Sequence, residues 1–549
     1  MLCANRYPKL HPTGEALYKK GGTPMKKSLA IVMALVLLLC SASALADTFP
    51  LTTEPVTFTV MSRTNAFYPN GKVGDTDVLR AYEEMTGIHM EFDDVDPSVF
   101  SGRLAAVMTG DPADYPDLIY KANITNAQSY EWGHEGILVD IAPYIDECMP
   151  NFKALCEQYP DILEAITTDD GHIYGLPQVI PYAPMKFPSK LYYNEKALAA
   201  VNMPVPTTTD ELYELLLALR DSDFNHNGIA DEVGIDCSAN TLYQYFYGCF
   251  GLATRGSAHH PVVDVDPETN EIRVFATSDN YRKFVEYLHK LYADKLIYQE
   301  IYTEGDQCTK LTADERLAIY LGTTLYAVPT KYIADWTGLK LQPAGPDGDA
   351  VSTNARSTLH TEGNLVITSH CTNVPLALKW VDYFYSEEGG MFYHAGIENV
   401  HWQKNEDGTY GYTESFAATR TDDMTQDSFL AQAVLWPGGR NPAVMPANLF
   451  AGEYEAEPAA TAYALAEYAP EKIWPIISWS EDENDVIASY LSDMKSFITR
   501  STAAFVAGET EINDANWEKF VNDVNGMGAS KVCEAYESAL TRMYGEGNW

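Results

Sequence analysis

Apolar residues fall in short, bounded stretches along this chain, and their spacing switches between the period of a strand and the period of a helix. A compact apolar run at 56–61 predicts a buried strand, 78–85 carries a helical stripe closed by Gly87, and 88–92 predicts the next strand. A second stripe at 100–108 ends near Gly110 and leads into a short strand at 116–120. Strand, helix, strand in alternation predicts a parallel α/β sheet for the first part of the chain. Ligands bind such sheets beyond the carboxyl ends of the strands.

A proline-rich run through Pro181, Pro184 and Pro188 follows Gly175, and is the expected connector to a second α/β segment. That segment opens with a helix at 209–220, for which Thr207, Thr208, Thr209 and Asp210 are good capping residues. Later, 362–367 reads as a strand re-entering the first lobe, followed by a helix at 375–386. From about Asp485 onward the pattern is helical. The chain has neither an internal repeat nor a low-complexity stretch.

The chain has 549 residues, 46% of them hydrophobic and 12% aromatic, enough for a large core in several domains or two large lobes. With 37 Lys and Arg against 77 Asp and Glu the net charge is −40, which repels nucleic acid and anionic lipid. Met25-Lys26-Lys27, the apolar run 29–39 and Ala44-Leu45-Ala46 form an export signal, so residues 1–46 are expected to be an upstream extension and signal peptide with the true start at Met25. No later stretch reaches the roughly 20 apolar residues of a membrane span. A lipid anchor at Cys40 is disfavoured by Leu39, because that modification needs a small residue there. Cys148, Cys156, Cys237, Cys249, Cys308, Cys371 and Cys533 are an odd, scattered set and predict buried thiols, with one optional bridge.

The sharpest chemical motif is an acidic loop, DFNHNGIADE at 223–232. Calcium takes about six to eight oxygens, which alternate positions of a tight loop bring together if a glycine permits the bend. Asp223, Asn225 and Asn227 hold those positions, Gly228 makes the bend, and the Ile229 carbonyl, Asp231 and Glu232 complete the set. Gly234 stands where an EF-hand has its closing Glu. An Asx-rich turn capping the preceding helix is the alternative. A site made by one local loop has a structural role.

Enzyme motifs are missing: there is no Walker A run, G-x-G-x-x-G, G-x-S-x-G or H-E-x-x-H. Adjacent His259 and His260 read as a solvated loop. The nine Trp and 36 Tyr exceed the needs of a core, and aromatic faces stacked on sugar rings build carbohydrate clefts. Trp380 and Trp517 lie in helical stripes and are expected in the core. Trp132, Tyr182, Trp336, Trp402, Trp436 and Trp474 fall in loops or near strand ends and are the candidates to face a cleft.

The segments GILVD at 136–140, DGHIYGLP at 170–177, LYYNEK at 191–196, VPTTTDEL at 205–212 and GIENVHW at 396–402 resemble, in that order, extracellular solute-binding proteins of ABC importers. FVAG at 505–508, WEKF at 517–520 and AYESA at 535–539 resemble the subgroup that includes alginate and complex-oligosaccharide binders. The resemblance implies a two-lobe periplasmic-binding-protein-like α/β fold (type II) with a hinge and a helical C-terminal region. By it, lobe one is 47–178 plus 363–425, and lobe two is 179–362 plus 426–549. It implies calcium at the acidic loop, with His226 where the family often has Gly. It also implies ligand contacts at Arg63, Asn65, Tyr68, Lys121, Asn123, Tyr182, Asn240 and Trp336. For a uronate ligand, Arg63 and Lys121 would pair the carboxylates. The implied function is capture of an oligosaccharide outside the membrane by a monomer without catalysis, and delivery to importer membrane subunits. An oligopeptide receptor and an exported carbohydrate-active enzyme are the alternatives.

Overall fold

The computed structural model describes residues 49–406, 410–447, 449 and 456–549. The export signal, Met25 and Cys40 lie outside the described residues. Strands β1 (Val56–Arg63), β2 (Ile88–Val95), β3 (Leu118–Tyr120) and β4 (Gly175–Val179) come first, then β5 (Lys190–Asn194) and β6 (Val233–Asp236). They are followed by β7 (Val263–Val265), β8 (Ile272–Val274), β9 (Leu317–Gly322), β10 (Trp336–Gly338) and β11 (Leu359–Ile367). A small hairpin, β12 (Trp402–Lys404) with β13 (Tyr410–Tyr412), completes the set.

Two main sheets result, a five-stranded one in the order β2-β1-β3-β11-β4 and a four-stranded one in the order β10-β5-β9-β6. In the first, β1 pairs in parallel with β2 and β3, while β11 returns antiparallel between β3 and β4. The helix Asp77–Thr86 that joins β1 to β2 ends where Gly87 turns left-handed at φ 76° and its amide bonds the Glu83 carbonyl. In the second sheet β6 runs parallel to β9, and β5 is antiparallel to both β9 and β10. The chain therefore leaves the first sheet at Val179, enters the second at Lys190, and comes back on β11. The expected α/β class is correct, but the first sheet, expected to be parallel, is mixed because β11 returns antiparallel between β3 and β4.

Each sheet has its own core. Phe58, Tyr82, Phe152, Trp380 and Phe384 anchor the first, where the Tyr82 hydroxyl donates to the Trp380 carbonyl at 2.7 Å. Phe429, Trp436 and Val444 also pack into this core. Leu216, Phe246, Phe284 and Leu288 fill the second, joined by Met494, Phe505, Trp517 and Tyr536 from the helices Glu481–Val506, Asp514–Gly526 and Ala529–Tyr544. The long C-terminal helix starts in a capping box between Ser480 and Glu483, and Glu483 also holds Arg542 and Ser538 of the last helix. All seven described cysteines are free thiols, six of them buried. Among the described residues no helix is long and apolar enough to cross a membrane.

Candidate functional site

A cavity of about 720 Å³ opens where the two halves meet. One wall comes from the first sheet: Asn123, Thr125 and Asn126 follow the carboxyl end of β3, and His360, Thr361 and Glu362 lie on β11 beside it. The other wall is made by His259 and His260, the stretch around Trp479, one face of the helix Glu481–Val506, and Tyr536. This is the strand-end position at which open α/β sheets bind ligands.

The lining combines apolar, aromatic and hydrogen-bonding groups. Trp479 packs edge-on to Tyr536 with centroids 5.0 Å apart, flanked by Ile477, Ile487 and Leu491. Asn123, Thr125, Asn126, Thr361 and Asn484 supply neutral polar groups. Arg356 and Lys495 are the cations, and Glu362 is the one carboxylate among the described residues that line the space. Glu362 accepts the Asn126 amide at 2.9 Å, and its other oxygen is buried without a partner. Burial raises its pKa to about 7. Most glycosidases use two carboxylates flanking the bond they cut, and among the described residues one lines this space.

The histidines correct the sequence reading. His260 is buried, bonded at Nε2 to the Pro475 carbonyl at 2.7 Å and at Nδ1 to the Tyr536 hydroxyl at 3.2 Å, and burial pushes its pKa down to about 4. His259 falls to about 3 for the same reason. Both are therefore neutral rings in a packed wall, where a solvated loop was expected.

Of the candidate ligand residues, Asn123 lines the cavity, held at φ 60° just past β3. Asn240 is exposed in the first turn of the helix Ala239–Phe246. Arg63 is half-buried at the end of β1. Three others turn inward instead. Lys121 is 1% exposed and donates to the Leu435 and Pro437 carbonyls, to Asn441 Oδ1 and to the Tyr68 hydroxyl. Tyr68 in turn donates to the same two carbonyls, and Asn65 Nδ2 donates to the Pro437 carbonyl at 2.9 Å. Asn65, Tyr68 and Lys121 thus fasten the segment 435–441 to the first sheet. Burial holds Lys121 well below the usual lysine pKa, with Arg63 and Arg440 lowering it further.

The aromatic candidates need a larger correction. Trp336, Trp402, Trp436, Trp474 and Tyr182 are all buried in cores, and Trp132 packs half-buried on a smaller cluster. Trp402 donates to the Gly396 carbonyl at 2.8 Å and shares its cluster with Tyr182, while Trp336 packs with Tyr192 and Tyr320. Trp436 meets Tyr326 at 5.2 Å, and Trp474 meets His260 edge-on at 5.5 Å. A loop tryptophan beside a sheet has enough apolar surface to be drawn into the nearest core. Sequence reasoning missed Trp479, which lies five residues beyond Trp474 and directly precedes the N-cap Ser480.

The acidic loop folds as a tight turn. His226 and Gly228 adopt φ 58° and 74°, and the Asn227 amide lies 3.0 Å from both Asp223 Oδ1 and Asn225 Oδ1. Asn227 Nδ2 reaches Asp231 Oδ1 at 3.2 Å, and Asp223 Oδ2 accepts the Gly228 amide. Arg316 pairs with Asp231 Oδ2 at 3.0 Å, and Ile229 is exposed. Glu232 Oε1 is buried with no partner, and burial raises that carboxyl's pKa. Among the described residues no three His, Cys, Asp or Glu side chains are gathered as a metal site. The loop's candidate set has three carboxylates, Asp223, Asp231 and Glu232, which are not gathered here, together with two Asn amides and a main-chain carbonyl. The orphaned buried Glu232 oxygen and the loop's other carboxylate and amide oxygens are of the kind a hard cation takes.

Two α/β halves with a ligand-sized space at their strand ends define the fold of the solute-binding proteins of ABC importers. No family model matches the sequence. The chain is 24% identical over 559 residues to the fructooligosaccharide ABC transporter substrate-binding protein FusA of Streptococcus pneumoniae serotype 4, covering 93% of this chain and 96% of that one. It is 23% identical over 483 residues to the polygalacturonan/rhamnogalacturonan-binding protein YtcQ of Bacillus subtilis strain 168, covering 84% and 87%. Among solved structures, an EF-hand mutant of FusA in complex with fructo-nystose superposes with a TM-score of 0.73 at 19% identity, over 89% of this chain and 99% of that one. The alginate-binding protein AlgQ2 without calcium ion gives 0.72 at 16% identity, over 90% and 99%. The fold is the one the sequence resemblance implied.

Proposed function

We propose that this protein is an extracytoplasmic receptor that captures an oligosaccharide between two lobes and delivers it to the membrane subunits of an ABC importer. The observation that carries the reading is the cavity at the strand ends, with the half-buried Trp479 as an apolar ring backed by the buried Tyr536, and Asn123, Thr125, Asn126 and Asn484 as hydrogen-bonding neighbours. Sugars need that combination, since each ring has an apolar face and a polar rim. FusA, matched over nearly the whole of both chains, and YtcQ support it. We read the protein as a binder without catalysis, because the cavity offers a single carboxylate. The boundaries expected at 178, 363 and 425 shift: lobe one is taken as 47–179 with 359–444, because β4 and β11 belong to the first sheet and Phe429, Trp436 and Val444 to its core. Lobe two is the remainder, with closure between them trapping the ligand. The receptor is read as an exported monomer.

Calcium is the proposed structural ion of the 223–232 loop. Asp223, Asn225, Asn227, the Ile229 carbonyl, Asp231 and Glu232 would hold it, and it would supply fixed positive charge that pins the loop. The unpartnered Glu232 oxygen supports this, as do the descriptions of two compared structures, an EF-hand mutant of FusA and AlgQ2 without calcium ion.

The test is a thermal-shift screen of the purified protein against panels of oligosaccharides and peptides, with and without a calcium chelator. A ligand that binds only the folded state adds about 2.7 kcal/mol at a hundredfold excess over its Kd. A shift with one sugar class and no product formed is the expected result. A shift with peptides alone, or release of reducing ends from a glycan, would sink the reading.

A further inference from the structure

Arg356 lines the cavity with no carboxylate partner. Its backbone amide donates to the Lys186 carbonyl, and its Nη1 lies 2.8 and 2.9 Å from the two ring nitrogens of His360. A neutral imidazole has one acceptor nitrogen, so this ring takes at most one hydrogen bond from a guanidinium that carries five N–H donors. No ion pair to Arg356 occurs among the described residues, and Glu362, in the same cavity, makes none with it. Burial alone lowers its pKa, to about 10, with no negative group opposing the fall. The side chain is half-buried on the cavity wall, where water holds its charge less well than in bulk, so an anion in the cavity would pair with it strongly.

The charge around the cavity is unlike that of the rest of the molecule. The whole chain carries −40, yet this lining has Arg356 and Lys495 against the single carboxylate of Glu362. His259, His260 and His360 are kept neutral by burial and do not alter the balance. Low-dielectric walls focus that local positive field into the space. Lys121, the residue the sequence offered for such a role, is already saturated by Leu435, Pro437, Asn441 and Tyr68.

We propose that the saccharide taken by this cleft is acidic, and that the Arg356 guanidinium pairs with its carboxylate. The inference rests on the receptor reading above and names its substrate class. A planar guanidinium matches a carboxylate through two parallel N–H···O bonds, as it also can a tetrahedral oxyanion, so a sulfate ester is the competing anion in the test. Glu362, with one free oxygen, is placed to take a sugar hydroxyl from the opposite side of the charge balance.

The experiment is isothermal titration of the purified protein with trisaccharides of galacturonate, guluronate, mannuronate and glucuronate. Each is compared with its carboxyl-reduced neutral form and with a sulfated neutral trisaccharide. At least one uronate is expected to bind at least about tenfold tighter than its reduced form, with affinity falling as salt rises. Arg356→Gln should erase the difference between the pair, and Arg356→Lys should restore only part of it. The comparison of acid with reduced sugar on the unaltered protein stands even if a variant fails to fold. Neutral forms binding as tightly as acids, or the sulfated sugar binding tightest, would overturn the acidic-uronate assignment and leave the oligosaccharide receptor intact. No binding of any glycan would instead overturn the receptor reading, and this proposal with it.

Discussion

The Lys121 ammonium donates to the Leu435 carbonyl across 2.6 Å, joining the residue just after β3 to a segment more than three hundred positions later. It also reaches Asn441 Oδ1 at 2.7 Å, so one buried cation organises the backbone of 435–441. Lys121→Met would remove the ammonium's bonds and leave the Leu435 carbonyl and Asn441 Oδ1 with only the Tyr68 and Tyr393 hydroxyls as donors. Each lost charged hydrogen bond costs about 1.5–3 kcal/mol, partly offset because a charge is no longer desolvated. The expected outcome is a loss of about 2–4 kcal/mol in urea unfolding. A ligand-binding lysine would behave the other way, losing affinity with an unchanged unfolding midpoint.

Asp236, at the end of β6, is fully buried, with Oδ2 accepting the Gln307 amide at 2.9 Å and Oδ1 unpartnered. Burial, then the neighbouring Asp306 charge, raises its pKa to about 8. The unfolded carboxyl titrates near 3.9, so between about pH 4 and pH 8 the folded state holds a proton that the unfolded state has lost. Stability therefore falls as pH rises through that window and levels off above it. Glu362, raised to about 7, pushes in the same direction. Asp236→Asn keeps the acceptor for Gln307 and removes the larger part of the slope. Urea midpoints at pH 5 and pH 8 should lie closer together in the variant, with its stability at pH 8 above that of the parent.

Much of the fold was legible because local patterns and tertiary demands agreed. The helix ending at Gly87, the strand before it and the returning β11 each follow from apolar spacing bounded by a turn residue. Side-chain direction was not legible. Lys121 follows a strand, as a ligand contact would, but its left-handed φ of 58° goes with a side chain packed beneath the 435–441 segment. Trp474 and Trp479 share one loop and differ only in which side of it they leave. No period exists in an irregular segment to tell a core face from a cavity face, so the sequence does not separate the buried Trp474 from the cavity-lining Trp479. The acidic loop was readable because its chemistry is local.

For that loop, adding calcium to chelator-treated protein should raise the melting temperature, with saturation that depends on metal concentration. Asp223→Ala removes a carboxylate whose two oxygens organise the turn through Asn227 and Gly228, and should abolish the calcium response. Saccharide affinity in that variant should change little, since no loop residue lines the cavity. An unchanged calcium response in Asp223→Ala would place the ion elsewhere.

Trp474 and Trp479 should separate stability from recognition. Trp474 is 2% exposed and packed against His260 and Tyr536, so Trp474→Ala opens a core cavity and should cost about 3–5 kcal/mol. Trp479 is half-buried, with its ring against Tyr536 and on the cavity. Trp479→Ala should cost less stability, but it removes a ring face on which a sugar would stack. Affinity for whichever trisaccharide the titration identifies should fall about tenfold or more, as for a buried aromatic anchor at a binding site. Urea unfolding and calorimetric titration on both variants decide the matter. If Trp479→Ala binds as the parent does while Trp474→Ala, still folded, loses the sugar, then the cavity beside Trp479 is not where the ligand sits.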